Sequence, residues 1–353
     1  MGKTRVVGLD IGSTAVRAVE LEFGSGGPSG RHQPTLVRCA EIALPPGAVQ
    51  DAEVAEPETV ASTLKDLWRR GKFSTRDVVL GVGNPRVVVR ELELPWAPMA
   101  QLRASLRFQV QELLPMPVDE ALLDYYPTAE YQGSSGRTLQ GMLVAASRET
   151  VRSNVMAAES AGLRPGMVDL NAFALLRGMA RGEFADKVVA LVDVGARVTN
   201  VIISAHGVPR FARTLPSGGN DVTDALAGQM QMSGPDAERL KREIGVGYPV
   251  APELSLGANA VSEVTRNLVE AIRNTFVYYS SNNPGSGLDV ALLTGGGGLL
   301  PGLAQYLSTA SRLPVTYGDP LATLKVGADA RKHLPESISL LAIPVGLAMG
   351  VAA

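Results

Sequence analysis

Cysteine is almost missing from this chain. Cys39 is the only one in 353 residues, so neither a disulfide framework nor a thiolate metal site can be built. Histidine is scarce as well: His32, His206 and His333 lie far apart and suggest no metal cluster. Charge of one sign is not in excess. A formal net charge of -2 gives no positive field for nucleic acid or an anionic membrane surface. No apolar run reaches the ~20 residues that a spanning helix needs. The longest, Ile338 to Ala353, is interrupted by Pro344 and reads as a buried terminal helix. Near the N-terminus Lys3 and Arg5 are followed at once by Asp10, without the apolar stretch of a signal peptide. The expectation is a cytoplasmic protein with no direct membrane insertion, attached to a membrane only through a partner.

What is present is a 45% hydrophobic chain, long enough for two or three domains with real cores. Arg5 to Asp10 predicts a strand, Gly12 a tight turn, and Val16 to Phe23 a second strand. Gly24 to Gly30 reads as a flexible loop, Pro57 to Trp68 as a helix, and Val78 to Val82 as a buried strand. Val87 to Leu94 reads as a strand closed by Pro95. A helix follows with Leu102, Leu106, Val110 and Leu113 on one face, ended by Pro115 and Pro117. Gly133 to Gly136 is a hairpin tip, Met142 to Ala146 the returning strand, and Glu149 to Ala161 a helix. Val188 to Asp193 opens a new strand-turn-strand unit. Helices are expected over Asp221–Met230, Asp236–Glu243 and Ala258–Tyr279, a strand over Val290–Thr294, and a helix from Pro301. Strands alternating with helices indicate an α/β fold.

An internal repeat points to chemistry. Val7 to Asp10, Ile11 and Gly12 parallel Leu191 to Asp193, Val194 and Gly195. Each is an apolar strand ending in Asp, one apolar residue, then Gly, and each leads into a second apolar strand. The separation is 183 residues (193 minus 10), about half the chain, so two similar lobes are expected, not a solenoid. A glycine in a tight hairpin lets backbone N–H groups approach phosphate oxygens. Ser13 and Thr14 add hydroxyl donors. Asp10 and Asp193 can hold a hydrated Mg2+, which takes one or two carboxylates and keeps several waters. Two such turns facing each other would clamp a triphosphate.

Four glycines, Gly295 to Gly298, follow an apolar strand and precede a helix. They allow backbone to lie against a flat ring or a ribose, which places Gly295, Gly296 and Gly297 at a nucleoside. Competing motifs fail. Gly2-Lys3-Thr4 has neither the upstream glycine nor the strand of a P-loop, and no dinucleotide glycine fingerprint follows the first strand.

These residues resemble the actin-like ATPase superfamily. Asp10 to Thr14 and Asp193 to Thr199 look like its two phosphate loops, and Leu292 to Gly298 like its adenosine segment. Asp169 to Leu175 and Ala342 to Gly350 look like the two connecting helices. Gly218 to Thr223, with Gly219, and Glu238 to Arg242 look like the adenine-side helices, with Glu238 and Lys241 placed to meet the ribose. Within the superfamily the chain is similar to the PilM family of type IV pilus assembly proteins. That likeness rests on Val87 to Pro95 and on Ser105 to Tyr125, with Gln109, Pro115, Pro117 and the Asp124-Tyr125 pair. The second loop departs from the pattern, with Ala196 and Arg197 where a small hydroxyl residue is usual.

The resemblance implies an α/β, actin-like (ribonuclease H-like) two-lobe ATPase fold with an FtsA-like extra α+β subdomain. Subdomain IA would comprise 1–83, 166–182 and 337–353, and the inserted subdomain IC 84–165. Subdomain IIA would comprise 183–217 and 286–336, and IIB 218–285. It implies ATP and Mg2+ as cofactors. Its expected partner is the cytoplasmic N-terminal peptide of a PilN-like single-span membrane protein, with self-association as a further possibility. The groove for that peptide is expected beside Val87, Val89, Leu92, Leu94, Phe108 and Leu113, although any of these valines and leucines can equally be plain core, as can Trp96, Phe108 and Tyr125.

Three functions compete. An ATP-switched adaptor of a pilus or related secretion machine fits the insert. A small-molecule kinase needs an aspartate base, and none stands out between the first loop and the insert. An FtsA- or MreB-like filament former anchored as FtsA is would need an amphipathic tail beyond the last helix, which is not expected after Ala353. Asp193 and Asn171 are the candidates for positioning an attacking water, and hydrolysis is expected to be slow at most.

Overall fold

The computed structural model describes residues 4–25, 27, 32–134 and 136–350. Along the chain run β1 (Thr4–Ile11), β2 (Ala15–Phe23), β3 (Thr35–Ala43), the short β4 (Val49–Gln50) and β5 (Glu53–Val54), α1 (Pro57–Gly71), β6 (Asp77–Val82) and β7 (Val88–Pro95). Then come α2 (Met99–Gln109), β8 (Ala121–Gly133), β9 (Gly136–Ser147), α3 (Arg148–Ser160), β10 (Arg164–Leu170) and α4 (Asn171–Met179). The second half holds β11 (Val188–Val194), β12 (Thr199–Ala205), β13 (Val208–Leu215), α5 (Gly219–Met230), α6 (Gly234–Ile244) and α7 (Ser255–Asn282). It closes with β14 (Val290–Thr294), α8 (Leu303–Ser311), β15 (Val315–Tyr317), β16 (Lys325–Val326), α9 (Ala328–Arg331) and α10 (Ala342–Ala348).

Two sheets share one strand order. The first runs β3-β2-β1-β6-β10, with β16 added outside β3, and the second β13-β12-β11-β14-β15. β1 and β11 occupy the same place: each pairs antiparallel with the next strand and parallel with β6 or β14. Every residue of β11 and β12 is buried. Such strands read as continuous apolar runs because both faces of the sheet are covered.

The covers are helices. α4 and α10 lie between the lobes, and one core cluster joins Leu175 and Leu347 to Val19, Leu21, Leu191, Ile202 and Leu292. The two helices approach at glycine. A Cβ on Gly178 would stand 2.5 Å from the Ala342 carbonyl, and one on Gly346 would collide with the Ala174 carbonyl. Only a residue without a side chain permits that approach. α1 and α3 cover the outer face of the first sheet through Val60, Leu64, Leu67, Ala157 and Ala158. α5, α7 and α8 cover the second, with Leu226, Val261, Leu268 and Ile272 buried among its strands.

Between β6 and α3 stands a three-stranded antiparallel sheet, β7-β9-β8, with α2 on one face. Leu94, Leu102, Leu106, Val110, Tyr125, Leu139 and Leu143 form its own core. The Tyr125 hydroxyl donates to the Leu92 and Leu139 carbonyls at 2.9 and 3.1 Å, so this tyrosine is core.

Several expectations change. α2 stops at Gln109, and Leu113 falls in a 3-10 turn (Gln111–Leu113) with its side chain exposed, off the face expected for it. Leu114 is already extended (φ -96, ψ 140), as the residue before a proline prefers. Asp169 and Leu170 belong to β10, and the connecting helix begins only at Asn171. The terminal run is a 3-10 turn (Ile338–Leu341) followed by α10; residues 351–353, most of the loop expected at 24–30, residues 2–3 of the rejected P-loop, and Ser135 lie outside the described residues. Trp96 and Phe108 are 41% and 76% exposed and are not core. Among the described residues no helix is long and apolar enough to cross a membrane.

Candidate functional site

The two repeated turns are the same object twice. In β1–β2, Asp10 pairs with Arg17 and the Gly12 N–H donates to the Ala15 carbonyl at 3.1 Å. In β11–β12, Asp193 pairs with Asn200 and the Gly195 N–H donates to the Val198 carbonyl at 2.9 Å. Each of these positions is offset by the same 183 residues. Both turns open into one cavity of about 1500 Å3 between the lobes. Asp10, Gly12, Ser13, Thr14, Asn171, Asp193, Gly195, Gly219, Glu238, Lys241, Gly295, Gly296 and Gly297 all line it. Every nucleotide-site candidate drawn from the sequence is therefore brought to one place.

The second turn is built into a glycine joint. The Gly219 N–H donates to the Gly195 carbonyl at 2.9 Å and the Asn220 N–H to the Ala196 carbonyl at 2.7 Å, so the start of α5 rests on the turn. Gly295 has φ +84, and a Cβ there would meet Asp193 Oδ1 at 2.6 Å; one on Gly297 would meet the Gly195 carbonyl at 2.7 Å. Gly296 differs. No atom lies within 4 Å of its Cβ direction, and its backbone lines the open cavity.

Charge is concentrated at the two aspartates, which are 6% and 8% exposed. Burial pushes the Asp10 carboxyl up to about 6; the Arg17 guanidinium opposes this and the Asp193 charge adds to it. Burial likewise lifts Asp193 to about 6, against the Asn200 hydrogen bond (3.4 Å) and Arg17. Two desolvated carboxylates that repel each other are the donor set a hard divalent cation neutralises. Arg17 is partly committed elsewhere, to Glu41 at 2.7 Å. Asn171 lines the cavity, but its Oδ1 is buried against Gly81 with no hydrogen-bond partner among the described residues. Among the described residues no cluster of three or more His, Cys, Asp or Glu side chains forms a metal site.

On the second lobe Lys241 is 6% exposed. Its ammonium reaches Glu238 Oε2 at 2.6 Å, Thr223 Oγ1 at 2.9 Å and the Gly219 carbonyl at 3.1 Å. All three N–H donors are thus used within the protein, so Lys241 positions Glu238 and the start of α5. Burial alone would raise Glu238, but hydrogen bonds from Lys241, Thr223 and Arg242 hold it below the ordinary carboxylate range. Arg197, where a hydroxyl residue is usual, turns to Asp221 at 3.1 Å and Asp224 at 2.6 Å.

The candidates on the insert separate. Val87 and Leu94 are buried, so the structure removes them from an exposed groove. Val89 and Leu92 are partly buried, while Phe108 and Leu113 are exposed. Val87 and Val89 also line a small space of about 20 Å3 against Asn200, Ala212 and Thr214 of the second lobe.

Sequence reasoning missed Arg17, Asn200 and Asn154, all of which line the main cavity. Arg17 and Asn200 carried a signal, since each follows its aspartate by seven positions in the repeat.

Comparison with known proteins bears on the family and the fold. A family profile described as type IV pilus assembly protein PilM matches residues 8–351. A solved PilM–PilN type IV pilus biogenesis complex aligns over 99% of this chain and 98% of that chain, with TM-score 0.83 and 27% identity. MreB5 of Spiroplasma citri bound to ADP aligns over 97% of this chain and 94% of that chain, with TM-score 0.50 and 14% identity, a likeness of fold alone. Cell division protein FtsA of Borreliella burgdorferi is 23% identical over 210 residues, which is 53% of this chain. The chain spans about half the length of that curated relative.

Proposed function

The chain belongs to the type IV pilus assembly protein PilM family, and on that premise we propose that it is a nucleotide-binding adaptor of a pilus inner-membrane assembly complex. Its cofactors are ATP and Mg2+. The observation that carries this reading is the duplicated turn, with Asp10 and Asp193 buried at one cavity and glycine backbone on either side. Bound there, Mg2+ neutralises phosphate charge. Asp10 and Asp193 are the residues that would hold it, through its waters. Ser13 and Thr14 offer hydroxyl donors to the phosphates, Gly12 and Gly195 close the two turns with their own N–H groups, and Gly295 to Gly297, Gly219 and Glu238 face the nucleoside. Asn171 and Asp193 line the cavity and are the candidates to orient a water; turnover is slow and binding is the working event.

The partner is the cytoplasmic N-terminal peptide of a PilN-like membrane protein, which draws the chain to the inner face of the cell membrane. The peptide lies against the insert beside Val89, Leu92, Phe108 and Leu113. In subdomain terms the first lobe is IA, the insert IC, and the second lobe IIA and IIB.

Calorimetric titration with Mg-ATP tests the site. Asp10→Ala is expected to weaken Mg-ATP by about 10- to 100-fold, the usual loss when a group that holds a metal is removed. Unchanged affinity in Asp10→Ala and in Thr14→Ala together would show the site assignment to be wrong. A second titration adds a synthetic peptide from the N-terminus of the co-encoded single-span membrane protein. Saturable binding that Phe108→Ala weakens supports the adaptor reading; binding that Phe108→Ala leaves untouched moves the groove elsewhere.

A further inference from the structure

Between β3 and α1 the chain makes an excursion, residues 44–56, that reaches both the cleft and the base of the insert. At its start the Leu44 N–H donates to the Thr14 carbonyl at 2.8 Å, in the first loop. Pro46 and Ala52 line the cleft. Directly after Ala52 comes Glu53. Its Oε1 accepts from Asn84 Nδ2 and from Thr150 Oγ1, both at 2.7 Å, and its Oε2 accepts from Arg86 at 2.8 Å. Asn84 and Arg86 lead into β7, and Thr150 stands in the first turn of α3. One carboxylate therefore holds the chain entering the insert and the chain leaving it. Asn84 is fully buried and Thr150 is 2% exposed, so releasing Glu53 leaves buried donors that water does not readily reach.

Two further observations bear on what this connection does. The turn between β4 and β5 places Asp51 at φ 49 and Ala52 at φ 60. Alanine has no side-chain group that favours this left-handed region, so strain is held at the residue that touches the cleft. In addition, Gly83 beside Asn84, and Asn154 one turn beyond Thr150 on α3, line the same cleft. Both arms of the Glu53 network thus have an immediate neighbour in the cavity.

We propose that residues 44–56 form a strap that couples occupancy of the cleft to the setting of the insert, with Glu53 as its joint. The proposal rests on the nucleotide reading of the cleft. A ligand that displaces Ala52 or the Thr14 carbonyl shifts the strap, and the Glu53 joint passes the shift to β7 and α3. Coupling of this kind is reciprocal: whatever docks on the insert changes nucleotide affinity by the same factor.

The test is backbone hydrogen exchange of the full chain with and without Mg-ADP, read at residues 84–95 and 147–154, alongside calorimetry. In the unaltered protein Mg-ADP is expected to change exchange at both segments by about ten-fold, within the usual range of coupling between sites. Glu53→Ala should abolish that response while the Kd for Mg-ADP stays within about three-fold. Should Glu53→Ala not fold, Glu53→Gln carries the test; it keeps an acceptor for Asn84 or Thr150, loses the Arg86 pair, and should weaken the response. A full response in these variants, or none in the unaltered protein while Mg-ADP binds, overturns the strap. Absence of any Mg-ADP heat in the unaltered protein overturns the nucleotide reading instead. The strap is then judged without ligand by Ala52→Gly, which releases the strain: altered exchange at both segments supports it, and unaltered exchange rejects it.

Discussion

The first and second lobes share a strand order, a turn and a carboxylate, yet they use the turn differently. In the first, Gly12 to Ala15 presents two hydroxyl residues, and a cation, Arg17, stands opposite the aspartate. In the second, Ala196 and Arg197 replace the hydroxyls, α5 is hydrogen-bonded onto the turn, and a neutral Asn200 stands opposite. One backbone frame thus serves a turn that carries hydroxyls at the cleft in one lobe and a turn that anchors helices in the other. Duplication conserves the hydrogen-bonding geometry, because the backbone sets that; it leaves the side chains free to diverge.

The largest expected effect tests how far the second turn depends on its glycine joint. Gly295 and Gly83 follow equivalent strands. A Cβ at Gly295 meets backbone and Asp193 at positive φ, whereas the nearest atoms to one at Gly83 all belong to the Asn171 side chain. Gly295→Ala should cost about 3 kcal/mol or more in denaturant unfolding, and Gly83→Ala about 1 kcal/mol. Equal costs would show that the two joints are not different after all.

A second test compares the aspartates by pH, in nucleotide-free protein. Each is lifted to about 6 in the fold, above its unfolded value, so the native state binds the extra protons. Their contribution therefore turns unfavourable as pH rises from about 4 to about 6 and stays so above it. Asp193→Asn should stabilise the protein at pH 7.5 by roughly 1 to 3 kcal/mol and change little at pH 4. The gain from Asp10→Asn should be smaller, since it deprives Arg17 of a partner. Melting curves across that pH range would reveal the order, and a larger gain at Asp10 would reverse it.

The hydroxyls give a smaller effect. Ser13→Ala and Thr14→Ala should each weaken Mg-ATP about five-fold, the worth of one hydrogen bond, and Ala196→Ser should leave affinity as it is. Loss through Ala196→Ser would mean that the second turn also faces the phosphates. Smallest of all, Arg197→Ala should cost less than about 1 kcal/mol of stability, as partly exposed ion pairs do, with nucleotide affinity unaltered.

How much was legible follows from range. The turn strands β1, β2, β11 and β12 were readable because a buried strand carries its signal in consecutive apolar residues. β3 was not. Its exposures alternate irregularly around Arg38, Cys39 and Glu41, and β16 covers its edge from 290 residues later (325 minus 35). α2 was placed but drawn too long, since the apolar spacing continues to Leu113 while the backbone has already turned for Pro115. Lys241 was placed at the site, but its ammonium faces inward, which no spacing along α6 could reveal.

By itself the sequence determined two lobes, the turn in each, the glycines and the aspartates that end their strands, because those are properties of short stretches and their repetition. Only the tertiary structure decided that Asp10 and Asp193, both desolvated, line one cavity, that Val87 and Leu94 are buried while Phe108 is not, and that Glu53 ties both ends of the insert. Each of these depends on which distant segments pack together, and burial, the quantity that sets their chemistry, does not exist until they do.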